Sequence, residues 1–87
     1  MTESEIKKML TNPNQIQWAC RRGMLELDVI LGKFYTNQFE LLDLKEKILF
    51  LHLLELPDPL LFAWLLNKEV PENTEWQKIV EKIRGSL

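Results

Sequence analysis

The chain has little of what usually marks an enzyme site or a secreted fold. It carries one cysteine, Cys20, so no internal disulfide can form and a reducing compartment is the simplest setting. It carries one histidine, His52, and no Cys/His cluster with the spacing of a zinc site. Its three glycines make no Gly-rich loop behind a strand, so neither phosphate-cradling motif is present. No Asn-Gly or Asp-Gly pair and no sustained alternation of apolar and polar residues marks a β-hairpin. The longest apolar stretches, Ile48–Leu54 (interrupted by His52) and Leu60–Leu66, fall far short of the roughly 20 residues that cross a bilayer. The first residues, Met-Thr-Glu-Ser-Glu-Ile-Lys-Lys, contain acids and no apolar segment, unlike a secretory signal. Charge of one sign is also scarce. Eleven Lys and Arg are interleaved with thirteen acids for a net −2, which argues against a nucleic-acid partner. The expectation is a cytoplasmic bacterial protein without membrane insertion.

What is present is helix signal. The 87 residues suffice for one domain with one modest core, and 46% hydrophobic against 28% charged residues is a globular balance. Thr2 and Glu5 suggest a capping box for a short helix ending near Leu10, which Thr11-Asn12-Pro13 stops. Asn14 can cap a second helix bearing Ile16, Ala19 and Cys20, with Gly23 as its break. A third runs from Met24 to Phe34 or Tyr35, with Leu27, Ile30, Leu31 and Phe34 on one face. A loop through Thr36-Asn37-Gln38 follows, with Phe39, Leu41 and Leu42 as plugs. Asp43 and Glu46 form a capping box for a fourth helix, Leu44 to about Leu56. Asp58 caps a fifth, with Pro59 at its first position and Val70-Pro71 at its end. Asn73 or Thr74 caps a last helix carrying Trp76, Ile79, Val80 and Ile83, stopped by Gly85. Short connections make neighbours of consecutive helices. The expected fold is all-α, a compact bundle of about five short helices with an N-terminal extension. The fourth helix is more apolar than a half-buried position needs; part of that surface could serve as an interaction patch, but a place at the centre of the bundle is the favoured expectation.

Catalytic and metal-binding residues are not expected. His52 lies among Leu and Phe without a positioned nucleophile, so it reads as a polar residue of a helix surface. Cys20 sits on an apolar helix face and reads as a small core hydrophobe. One segment concentrates polar recognition groups: Trp18-Ala19-Cys20-Arg21-Arg22-Gly23-Met24-Leu25-Glu26-Leu27-Asp28. Two readings fit it equally. In one, Arg21 and Arg22 neutralise the end of a helix, Glu26 and Asp28 favour the start of the next, and Gly23 supplies the turn. In the other, Gly23 lets a partner's backbone approach while Arg and Glu reach outward as donor fork and acceptor.

That segment resembles the Arg-Gly-x-x-Glu region of the succinate dehydrogenase assembly factor family, the flavinators. Leu53-Leu54-Glu55-Leu56-Pro57-Asp58-Pro59-Leu60-Leu61-Phe62-Ala63-Trp64-Leu65 resembles the family's second motif, an Asp-Pro step leading into Phe-x-Trp-Leu. The resemblance spans roughly Gln15 to the end. It implies one domain over residues 1–87, in which 14–85 form the family's five-helix bundle and 1–12 an extension with a short helix. It implies a protein that binds the flavoprotein subunit of succinate dehydrogenase, in some bacteria also of fumarate reductase, and promotes covalent attachment of FAD there. In the family the flavoprotein's own histidine attacks the 8α-methyl carbon of its flavin, and the assembly factor supplies no nucleophile and binds no cofactor tightly. Carried over to this sequence, Arg22, Gly23 and Glu26 face the partner, with Trp18, Arg21 and Asp28 beside them, and Asp58, Pro59, Phe62 and Trp64 serve as cap and core. The free protein is expected to be a monomer. The competing reading is an antitoxin-like inhibitor of another protein on the same bundle.

Overall fold

The computed structural model describes residues 2–86; Met1 and Leu87, the outermost residues of the expected domain, lie outside them. Six α-helices and one 3-10 turn are found among the described residues: α1 (Glu3–Leu10), α2 (Pro13–Ala19), α3 (Leu25–Gln38), the turn Phe39–Leu41, α4 (Leu44–Leu53), α5 (Asp58–Leu65) and α6 (Thr74–Gly85). The all-helical expectation holds, and the extension contributes a helix of its own.

Local chemistry accounts for most boundaries. The Glu5 N–H donates to Thr2 Oγ1, starting α1. At α4 the capping box is complete: the Glu46 N–H donates to Asp43 Oδ1 and the Asp43 N–H donates to Glu46 Oε1. Asn73 Oδ1 accepts from the N–H groups of Glu75 and Trp76 at the head of α6.

Four boundaries differ from expectation. Asn12, not Asn14, caps α2, accepting from the Gln15 N–H at 3.3 Å, and Pro13 occupies the first helical position. The same proline that ends α1 is pre-shaped to begin α2. The expected loop at Thr36–Gln38 is helical. Tyr35 and Phe39 rings lie 5.0 Å apart, and buried Phe39 sits 5.7 Å from Phe50, so packing carries α3 past residues of indifferent propensity. Leu42 is buried but Leu41 points to solvent, 76% exposed. Finally, α5 begins one residue earlier than expected, with Pro57 as its cap and Asp58 as its first residue, and it ends at Leu65.

One apolar cluster joins side chains from every helix. Phe50, Leu51 and Leu53 of α4 are wholly enclosed, as are Leu27 and Leu31 of α3, Leu61 of α5 and Ile83 of α6. Thus α4 enters the core through its C-terminal half, while its first turns, from Leu44 to Leu49, are exposed or half-buried. Phe34 and Phe50 stack tilted at 5.3 Å in the middle of the core. Trp64 and Trp76, 6.0 Å apart and partly buried, close it between α5 and α6. Arginine finishes α5. Arg84 donates from Nε to the Trp64 carbonyl at 2.8 Å, an acceptor that the end of α5 leaves open, and from Nη2 to the Glu69 carbonyl in the following turn at 2.7 Å.

Candidate functional site

The site grows from the junction of α2 and α3. Helix α2 has only seven residues and closes at Cys20. The chain must then reverse within four residues to start α3 at Leu25. Gly23 makes that reversal, with φ +83, in the left-handed region where a side chain is strained. A Cβ placed there meets nothing within 4 Å, so the glycine is required by its backbone angle while the space above it stays open. Met24 offers no side-chain cap to α3. The stabilisation comes from the acids of the first turn, Glu26 and Asp28, at the positive end of the helix, and from the Arg22 N–H, which donates to Asp28 Oδ1.

Around this turn the side chains separate into two sets. Trp18, Arg21, Gly23 and Glu26 face solvent, and Asp28 is half-buried. Trp18 is 73% exposed, with the Arg21 guanidinium 6.0 Å from the centre of its ring. Arg22 departs from the outward-facing expectation. Its side chain is 15% exposed and points inward, donating from Nε to Asp58 Oδ1 at 2.8 Å and from Nη2 to the Leu56 carbonyl at 2.6 Å. Its Nη1 donates to the Leu54 carbonyl and to the Ala19 carbonyl. Asp58, expected as a helix cap, is therefore the counter-ion of Arg22.

Between α2 and α3 lies an open groove of about 620 Å³, walled by Trp18 and Arg21 on one side and Val29 and Thr36 on the other, with Gly32 and Cys20 on its lining. The α3 wall is implied by helical periodicity, although no motif marks it. Once Leu27, Ile30, Leu31 and Phe34 are assigned to the core, Leu25 and Val29 must fall on the opposite face, where they are 74% and 56% exposed. Trp18 and Val29 thus bring exposed apolar surface to the groove beside Arg21, and Leu25, one turn before Val29 on α3, continues the apolar face of that helix.

Chemically this surface is suited to contact. Cys20 is 2% exposed, and burial pushes its thiol up to about 12, so it stays protonated near neutrality and is a poor nucleophile. His52 lies on α4 with its Nδ1 3.6 Å from Glu55. No group of His, Cys, Asp and Glu that could hold a metal ion occurs among the described residues.

A small helical bundle with an exposed tryptophan, exposed aliphatic groups, a fixed glycine turn and flanking charges has the surface composition of a protein-recognition module. Comparison with known proteins narrows this class. Residues 14–86 match the family described as flavinator of succinate dehydrogenase. The chain is 51% identical over 70 residues to the FAD assembly factor SdhE of Coxiella burnetii, covering 80% of this chain and 85% of the relative. It is 46% identical over 76 residues to the FAD assembly factor SdhE of Shewanella oneidensis, covering 87% and 93%. To that of Wigglesworthia glossinidia brevipalpis it is 39% identical over 77 residues, covering 88% and 92%. The chain belongs to the flavinator of succinate dehydrogenase family.

Proposed function

We propose that this chain is an FAD assembly factor that binds the flavoprotein subunit of succinate dehydrogenase and promotes covalent attachment of FAD to it. The observation that carries this reading is the family match over nearly the whole bundle, residues 14–86. The names of the relatives favour it over an antitoxin-like inhibitor. The surface of Trp18, Arg21, Gly23, Leu25, Glu26 and Val29 is the proposed partner-facing side. Its exposed aromatic and aliphatic groups supply area, and Arg21 and Glu26 supply orientation. Residues 14–85 act as the working bundle, and α1 braces it.

The proposed mechanism is conformational. The assembly factor binds the flavoprotein arrangement in which its own histidine is aligned on the flavin, and so raises the population of that arrangement. The reacting groups belong to the partner. The flavoprotein of fumarate reductase is a second substrate in this reading, and the free protein is a monomer. No helix among the described residues is long and apolar enough to cross a membrane, and the proposed place of action is the bacterial cytoplasm.

The test is direct. Apo-flavoprotein subunit is incubated with FAD alone, with this protein, and with its Glu26→Ala variant, then denatured, and flavin fluorescence is read in the protein band. Stimulation by wild type and little by the variant supports both role and surface. Equal stimulation by the two moves the interface elsewhere, and no stimulation by either refutes the role.

A further inference from the structure

The two motifs that carry the family resemblance lie far apart in sequence, yet they meet at one side chain. Arg22, of the first motif, donates from Nε to Asp58 Oδ1, of the second, across 36 positions, at 2.8 Å. Its remaining N–H groups reach the Leu54 and Leu56 carbonyls just past α4 and the Ala19 carbonyl at the end of α2. Its backbone N–H holds Asp28 at the start of α3. One residue therefore ties α2, α3, the α4–α5 turn and the first residue of α5. Gly23, whose φ of +83 sets the exposed turn, is its immediate neighbour, and Glu26 is four residues on.

We infer that Arg22 and Asp58 form a positioning pair: Arg22 does not meet the partner but fixes the turn that carries Gly23 and Glu26, and Asp58 fixes Arg22. The second motif is thereby a remote determinant of partner recognition. This rests on the reading that the Gly23–Glu26 surface faces the flavoprotein. The geometry favours a positioning role over a contact role because the Arg22 side chain is 15% exposed and its fork already faces four acceptors. A guanidinium offers five donors in a rigid planar fork that reaches acceptors spread along its edges; a lysine ammonium offers three, all from one point at the end of a flexible stem. The turn's other restraints are the Arg22 N–H bond to Asp28 and the packing of Met24 against the core; Met24 supplies no side-chain cap and a Cβ at Gly23 would touch nothing, so no other side chain holds Gly23 itself. Without the pair, the turn is free to sample other angles. If it then holds the binding geometry about a tenth of the time, half-saturation with partner shifts about tenfold while the plateau is unchanged.

The experiment uses the full chain with Asp58→Ala, Asp58→Asn (which keeps an oxygen acceptor at nearly the same volume) and Arg22→Lys. Amide spectra by NMR report the turn independently of any partner. Titration of apo-flavoprotein with each variant in the covalent-flavin assay reports half-saturation and plateau separately. The expected result is that the Gly23, Met24 and Glu26 amides shift or broaden in Asp58→Ala while those of α6 do not. Half-saturation rises about tenfold at an unchanged plateau, and Asp58→Asn recovers part of both signals. Unmoved turn amides in Asp58→Ala overturn the inference, whatever the assay shows. Moved amides with unchanged half-saturation overturn it too, provided Glu26→Ala remains impaired. If Glu26→Ala is fully active, the partner-facing reading of this surface fails instead, and the amide shifts alone decide whether the pair positions the turn. Should Asp58→Ala not fold, the same outcomes are read from Asp58→Asn.

Discussion

Gly23 offers the sharpest separation between backbone demand and partner contact. Two reasons for a glycine here make different predictions. If the φ of +83 is the reason, any ordinary L-residue is strained, at about 1–2 kcal/mol for the left-handed region, and alanine's smaller unfolded-state freedom returns a part of this. No clash adds to it, because a Cβ at this position finds nothing within 4 Å. Gly23→Ala should therefore cost about 1 kcal/mol, a fall in Tm of roughly 4–8 °C for a domain of this size. Gly23→Asn, whose side chain tolerates the left-handed region, should cost only a few tenths of that. If close approach of a partner's backbone is a second reason, Gly23→Asn should still lose flavin attachment while melting almost like wild type. Thermal melts by circular dichroism and the covalent-flavin assay, run well below either Tm, give both numbers. An unchanged Tm in Gly23→Ala would refute the backbone argument. Full activity of a stable Gly23→Asn would refute close approach.

Four further outcomes follow from the core and its edges. Phe50→Ala removes a wholly enclosed ring that touches both Phe34 and Phe39, and should cost about 3–5 kcal/mol, enough to leave a domain of marginal stability largely unfolded by circular dichroism. Cys20 should react with a thiol reagent only through unfolding: negligible labelling at pH 8 in the native protein, immediate labelling in denaturant. Burial pushes its thiol from an ordinary 9.0 up to about 12, so the unfolded chain loses this proton first. The Cys20 contribution to stability should be level below pH 9 and fall as pH rises from 9 toward 12, a slope that Cys20→Ala removes in denaturant titrations. Lys68 holds φ 59 in the turn after α5, and Lys68→Gly should relieve that strain for a net gain of about 0.5 kcal/mol, read as a rise in Tm of roughly 2–4 °C.

Where an element was legible in the sequence, it was so because one local interaction dictates it. The Asp43–Glu46 box and the Asn73 cap are short-range bonds between side chain and backbone, so type and spacing suffice to place α4 and α6. The errors fall where distant packing decides. Thr36–Gln38 has no strong preference and is helical because Phe39 is drawn against Phe50 from another helix. Asp58 before Pro59 has the pattern of a helix cap, and nothing local reveals that Arg22, 36 positions away, takes its carboxylate. The exposed residues of the proposed surface, Trp18, Arg21, Gly23 and Glu26, are close along the chain, so the sequence alone can group them. The inward turn of Arg22 is not legible there, since the carbonyls that hold it exist as a cluster only after α4 and α5 have packed. Leu25 and Val29 are a different case, implied by helical periodicity once the buried face is fixed.

The first helix has a practical bearing on how fragments of this chain are designed. The family match begins at residue 14, which suggests trimming everything before it. That cut would remove Asn12 and Pro13, which start α2, and with α1 the buried side chains of Ile6 and Met9. What remains of α2 is under two turns, too short to persist without neighbours to hold it. Trp18 and Arg21 sit on or just after those two turns, so a fragment cut to the family boundary would keep every residue of the proposed recognition surface and lose the scaffold that aims its first wall.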